Sequence, residues 1–280
     1  MIESEYINKI HNEILEIMDI IDQICQKNHI QYYLISGTLL GAVRHGGFIP
    51  WDDDLDIAMP REDFNYFIKI CETELPTGYR LRWITTQQDY WRLYAKVSNE
   101  NTLFIEQDVD RKCGIFVDIF PLDDCNGYNV FLEFRKKIIV KLAVMISWKQ
   151  KDNVFKGIKR LVVRTFSYKM LFSLAERIMR LTNGDTKKYY TNFSSQYPIK
   201  KRTNYKKYFG KGKYIPFENR FYLAPNDVHA VLQKIFGANY MQLPPVNKRK
   251  THYPKYVKFS DGEEIYFEDA ENKLKIEDIL

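Results

Sequence analysis

Over the first 27 residues, Ile7, Ile10, Ile14, Met18, Ile21 and Ile24 recur three or four positions apart. That spacing predicts an amphipathic helix from about Tyr6 to Lys27 with one buried stripe. The period then changes. Gln31–Ile35 reads as a short strand, Ser36-Gly37 as a turn, and Thr38–His45 as a helix broken by Gly46-Gly47. Leu55–Met59 is strand-like and Pro60 ends it, while Arg61–Glu74 suits a helix closed by Pro76. Three more strands are expected at Tyr79–Ile84, Arg92–Val97 and Ile115–Phe120.

After Asp123-Asp124 the pattern turns helical and basic, with two long helices expected at Val130–Lys149 and Val154–Leu181. In the second, Phe166, Met170, Leu174, Ile178 and Leu181 belong to an apolar face, and Lys169, Arg177 and Arg180 decorate the rest. A polar stretch rich in Tyr and Lys runs on to Tyr214. Asn226 is then a candidate N-cap for a helix at Asp227–Phe236, with Gly237 as its stop. The acidic tail from Ser260 onward reads as peripheral. There are no internal repeats. The expected organisation is an α+β core at 1–127, a mostly helical basic insertion at 128–215, and a return to the core at 216–280.

Charge sharpens this division. The 280 residues carry a net +6. Tyr128 to Ile215, however, holds 22 Lys and Arg against 4 Asp and Glu, which leaves the remainder at −12. Two oppositely charged parts imply two jobs. A hydrophobic content of 45% excludes disorder as the main state. Four cysteines with no C-x-x-C pair exclude a disulfide scaffold and argue against structural zinc, so free thiols in a reducing cytoplasm are expected. The acidic N-terminus does not read as a signal peptide, and no apolar run reaches the length of a membrane span. The basic helices suit either an ordinary solvated face, an anionic membrane surface or a polyanionic glycan.

The candidate chemistry lies in Ser36-Gly37-Thr38 and in Trp51-Asp52-Asp53-Asp54-Leu55-Asp56-Ile57. Strand residues two apart share a face, so Asp54 and Asp56 should project together, opposite a buried Leu55 and Ile57. Adjacent carboxylates repel unless they share a proton or a cation, and Mg²⁺ favours such oxygen ligands together with substrate phosphates. Asp118, within Phe116-Val117-Asp118-Ile119-Phe120, would complete a three-carboxylate site if its strand lies beside the first. Such a site suits two metal ions and an in-line phosphoryl displacement. Ser36-Gly37-Thr38, between a strand and a helix, would offer backbone N–H groups to an anion. Asp52 and Asp53 equally suit the turn after Pro50-Trp51.

These residues resemble the nucleotidyltransferase superfamily. The string Tyr33-Leu34-Ile35-Ser36-Gly37-Thr38-Leu39-Leu40-Gly41-Ala42-Val43-Arg44-His45, followed by Gly47 to Asp56, is similar to the LicD family of bacterial phosphocholine transferases and their fukutin-related relatives. Echoes continue at Tyr94–Val97, Ile119–Asp123 and Phe236–Pro245, with His252 beyond. The resemblance implies a nucleotidyltransferase-like mixed sheet flanked by helices. It implies transfer of phosphocholine, or a related phospho-alcohol, from a CDP-linked donor such as CDP-choline to a sugar hydroxyl. The acceptor would be a teichoic acid, capsule or lipopolysaccharide precursor, bound to a lipid carrier.

By the same resemblance, Asp54, Asp56 and Asp118 would hold two Mg²⁺ or Mn²⁺ ions, with Asp118 also the candidate base. Ser36, Gly37 and Thr38 would hold the donor diphosphate. Arg44 and Lys96 either add cationic contacts to it or pair with the acidic cluster. His45, Asp52 and His252 are further candidates, the histidines being structural on the plainer reading. Tyr90, Trp91, Tyr94, Phe116, Phe221 and Tyr222 could cage a quaternary ammonium. The enzyme would act in the cytoplasm, at or near the inner face of the membrane, and no nucleic-acid partner is expected. Two other readings stay open: a nucleotidyltransferase acting on RNA through the basic segment, and a non-catalytic glycan- or membrane-binding protein.

Overall fold

The structure is a computed structural model that describes residues 2–86, 90–106, 113–149, 165–182, 184, 186–245, 249 and 254–266. The N-terminal helix α1 (Ile2–Lys27) buries the predicted stripe, with Ile10, Ile14, Met18 and Ile21 almost fully enclosed. It lies across the sheet at β4 (Ala95–Asn99) and β6 (Phe116–Cys125). The chain then makes β1 (Tyr33–Leu34), α2 (Ser36–His45), β2 (Asp56–Pro60), α3 (Arg61–Glu74) and β3 (Tyr79–Arg82). Gly46 stops α2 in the left-handed region at φ +76°, a conformation glycine adopts without steric penalty.

Among the described residues, the strands β1-β2-β6-β4-β3 form one mixed sheet, and two later strands extend it from β6. β2 and β6 run parallel at the centre, and the remaining pairs are antiparallel. The parallel pair is the decisive register: Asp56 sits opposite Asp118 and Ile57 opposite Ile119. The chain thus closes into an α+β architecture, a mixed sheet flanked by helices, as expected.

The basic segment begins with α4 (Val130–Lys149), as the periodicity predicts, and continues with α5 (Tyr168–Arg180). The expected helix at Val154–Leu181 is only partly realised. Residues 150–164 lie outside the described set, and Ser167 starts a fresh helix by accepting the Met170 N–H on its hydroxyl. Side-chain capping of this kind competes with helix continuation. Arg135, buried in α4, donates to the carbonyls of Ile178 and Met179 and to Thr182 Oγ1, and so ties α4 to the end of α5.

The polar Tyr/Lys stretch is ordered structure. β7 (Tyr189–Thr191) pairs with the far end of β6, and α6 (Ile199–Arg202) leads into β8 (Thr203–Tyr205), which pairs with β7. β6 therefore runs five residues past its expected end at Phe120, because β7 supplies Asp123–Cys125 with partners. α7 (Lys206–Phe209) leads to the hairpin β9 (Lys213–Phe217) and β10 (Arg220–Ala224). In α8 (Val228–Phe236) the N-cap is Asp227, whose carboxylate accepts the Ala230 N–H, and not Asn226. Beyond it, β11 (Tyr256–Lys258) pairs with β5 (Leu103–Ile105) and with β12 (Glu264–Tyr266).

All four cysteines are free thiols, as expected. Among the described residues, no helix is long and apolar enough to cross a membrane.

Candidate active site

The site grows from the β1–α2 and β2–β6 junctions. The Ile35 N–H donates to the Asp56 carbonyl, and the Asp118 N–H donates to the Leu55 carbonyl, fixing both acidic segments to the sheet centre. Leu55 and Ile57 are fully buried, so Asp54 and Asp56 turn to the opposite side, as alternation requires. Helix α2 opens without a side-chain cap, and its first N–H groups have no acceptor within the helix. Ser36, its first residue, has φ +55°. A serine held in that region costs about 1–3 kcal/mol and persists only where its surroundings fix it. A Cβ on Gly37 would stand 2.8 Å from Asp52 Oδ2, so a larger residue there would push the Asp52 carboxylate aside.

Ser36, Gly37, Asp52, Asp54, Asp56 and Asp118 line one cavity of about 560 Å³. Asp118 is 8% exposed. Its Oδ1 forms an ion pair with Lys96 Nζ at 3.3 Å. Burial, followed by mutual repulsion, holds the carboxyls of Asp54 and Asp56 above the usual carboxylate range. For Asp56 the charge of Arg202 and a hydrogen bond from Ser36 pull the other way. Asp118 is raised chiefly by burial, against the pull of Lys96 and Arg92. A buried cluster of carboxyls that resists losing its protons is one that binds counter-charge well.

The other sequence candidates fall out differently. Thr38 does not line the cavity; its Oγ1 accepts the Asp56 N–H at 2.8 Å and so pins β2 to α2. Lys96 reaches Glu106 Oε1 at 3.0 Å as well as Asp118, which makes it a neighbour of the acidic site rather than a wall of it. Arg44 donates to the carbonyls of Tyr240 and Gln242 and tethers α2 to that loop, outside the cavity. His45 is exposed and accepts from Arg44 Nε. His252 lies outside the described residues.

Of the aromatic candidates, Tyr94 alone lines the cavity, stacked on Phe120 with ring centroids 4.4 Å apart. Tyr90 is buried behind it, donating to the Tyr94 carbonyl. Trp91 lies under the Arg92 guanidinium and Phe116 under Lys96. Tyr222 donates to Asp19, and Phe221 is exposed on β10.

Sequence reasoning missed one whole wall, from Asn192 to Arg202, which carries Ser194, Ser195, Tyr197 and Arg202. It also missed His11, which is stacked on Phe48 with centroids 3.8 Å apart and bonded to the Asp52 carbonyl at 2.6 Å. Burial lowers the His11 pKa, in keeping with a neutral ring that donates to that carbonyl and props the acidic loop. The signal lay in the spacing: His11 stands four residues after Ile7 and three before Ile14, on the buried face of α1.

Residues 29–142 match the family model described as LicD/FKTN/FKRP, nucleotidyltransferase domain. Over these residues the chain is similar to the LicD family. The match covers β1, α2, both acidic strands and most of α4, and the family is one of transferases. The lipopolysaccharide cholinephosphotransferase LicD of Haemophilus influenzae is 29% identical over 259 residues, covering 85% of this chain and 92% of that protein. The human ribitol 5-phosphate transferase FKRP is 53% identical over 116 residues, covering 39% of this chain and 21% of that one. An uncharacterised protein of Rickettsia typhi is 50% identical over 60 residues, or 21% of this chain and 19% of its own.

Proposed function

We propose that this LicD-like transferase moves phosphocholine, or a related phospho-alcohol, from a CDP-linked donor to a sugar hydroxyl of a cell-surface glycan precursor. The observation that carries the reading is the parallel register of β2 and β6. It sets Asp118 opposite Asp56, two residues from Asp54, at the mouth of an uncapped helix. Two of the relatives support the direction, since both are named as transferases of a phosphorylated alcohol.

The residues present fit a divalent cation such as Mg²⁺ or Mn²⁺. The donor set is all oxygen, and the Asp118 Oδ1 is buried without a hydrogen bond. Among the described residues no three acidic, Cys or His side chains form a ready-made cage; Mg²⁺ is commonly held by one or two carboxylates and completed by substrate phosphates. One or two of Asp54, Asp56 and Asp118 would hold such an ion, and it would neutralise charge on the donor phosphates.

The chain's own groups do the rest. The first N–H groups of α2 and the Ser36 hydroxyl bind phosphate oxygens. Asp118 takes the proton of the acceptor hydroxyl as its oxygen forms the new bond to the donor phosphorus. The bond from that phosphorus to the CMP oxygen breaks, and CMP leaves. Phosphoryl transfer asks mainly for such positioning and charge neutralisation.

The test is a donor panel of CDP-choline, CDP-ribitol and CDP-glycerol with Mg²⁺ and a glycan acceptor extract, following CMP. Release with one donor that stops on adding EDTA is the expected result. No release with any of the three sinks the reading.

A lipid-linked acceptor would place the enzyme at a membrane, and α4 offers a suitable face. Phe131, Phe134, Val140 and Val144 are 42–58% exposed along it, interleaved with exposed Lys137 and Lys141. The chain should co-sediment with phosphatidylserine vesicles and not with phosphatidylcholine ones. At about 1 kcal/mol per basic residue, the pair Lys137→Gln and Lys141→Gln should weaken this binding about thirtyfold. Equal binding to both vesicle types removes the electrostatic argument.

A further inference from the structure

Arg202 reaches the acidic cavity from the basic segment, 166 positions along the chain from the serine it touches. It closes α6 and is 6% exposed. Its Nη1 donates to Ser36 Oγ at 2.9 Å, and its guanidinium lies 4.4 Å from the centroid of the Tyr197 ring. Its Nε is buried and makes no hydrogen bond. Burial acts to strip its charge, and the opposing pull is that of Asp56. A buried guanidinium with a donor unused is costly unless a further acceptor completes it.

The wall that carries Arg202 is stiff. Asn192 Oδ1 accepts the N–H groups of both Ser194 and Ser195. Lys136 of α4 donates from its Nζ to the Phe193 and Ser195 carbonyls. Thr203 Oγ1 donates to the Ile199 carbonyl at 2.8 Å, holding the end of α6. The guanidinium is therefore held at the cavity edge and does not swing freely from solvent. The two cations picked from sequence direct their charge elsewhere, Arg44 to backbone carbonyls and Lys96 to Glu106 and Asp118.

We propose that Arg202 binds the phosphates of the donor, its guanidinium meeting an oxyanion that also meets Ser36 and the start of α2. Guanidinium geometry suits phosphate oxygens two at a time. The ligand class is a nucleoside diphosphate ester, and the inference rests on the transferase reading above. It gives the basic segment a place in the reaction itself: the segment builds one wall of the cavity, and Arg202 is the cation in that wall.

The probe is CDP with Mg²⁺, titrated calorimetrically into the full chain. Arg202→Met should bind CDP about ten to a hundred times more weakly, as expected for loss of charged hydrogen bonds. Arg202→Lys, which keeps the charge without the paired donors, should fall between. Circular dichroism melts establish that the variants fold, and Arg202→Gln stands in if the Met variant does not.

Ser36→Ala separates direct contact from support of the serine. If Arg202 touches phosphate, Arg202→Met weakens CDP binding further in the Ser36→Ala background. If Arg202 only holds Ser36, the two variants lose equally and the double variant loses no more, which overturns the inference. Unchanged CDP binding by folded Arg202→Met also overturns it, while leaving the transferase reading intact. A wild-type chain that binds no CDP removes both.

Discussion

Asp118→Asn should lower transfer on the order of a thousandfold while leaving a folded protein. Losing one electrostatic group aimed at a developing charge typically costs enzymes about that much. Asp118 sits on the central strand, opposite Asp56, with Lys96 beside its Oδ1. Asparagine preserves size but removes both the negative charge and the proton acceptor. The fold should not suffer, because burial already disfavours the Asp118 charge and the charges of Asp54 and Asp56 stand nearby. Removing one of three crowded carboxylates relieves repulsion, so in EDTA the variant should melt no lower than wild type. Sites that trade stability for function behave in this way. CMP release and a metal-free thermal melt on the same preparation check both halves. Full activity in Asp118→Asn removes the acidic site from the mechanism.

Asp123→Ala should destabilise the protein by about 3–5 kcal/mol, the usual cost of breaking a buried ion pair from one side. Arg61, the first residue of α3, donates from Nε and Nη2 to the two oxygens of Asp123 at 2.8 and 2.7 Å. Both side chains are almost fully enclosed. Arg61 Nη1 also donates to Glu176 Oε1 at 2.8 Å, so one guanidinium joins α3, the end of β6 and α5. Alanine at 123 leaves that buried cation with half its partners. Urea unfolding followed by circular dichroism reads the loss directly. The pair Arg61→Met with Asp123→Leu should recover much of it, since apolar replacement of both partners removes the stranded charge. A single-variant loss below about 1 kcal/mol, the range of an exposed pair, would show that water reaches the pair.

Both variants concern residues visible in the sequence as parts of motifs, yet only one role could be read there. Asp118 was recognisable because a carboxylate between strand-forming apolar residues has few structural uses. Asp123 ended an apolar run and looked like the boundary of the core. Its partner Arg61 looked like an ordinary residue after a proline.

What the sequence determined by itself is local. Side-chain period fixes which face a residue takes, so Asp54 and Asp56 project together once Leu55 and Ile57 are buried. Spacing alone also places the stripe of α1, the helix after Ser36 and its glycine stop. The family string over Tyr33–His45 and Gly47–Asp56 adds chemistry to these positions because its residues lie close together in the chain. What tertiary structure decided is which local pieces meet. The parallel pairing of β2 with β6 sets Asp118 opposite Asp56, and no periodicity encodes that register. β7, three residues long, brings the 192–202 wall to the cavity and Arg202 to Ser36. Long side chains such as Arg44, Lys96 and Arg202 take whichever acceptors the closed chain places near them. A sequence shows their charge, and only the folded chain shows its direction.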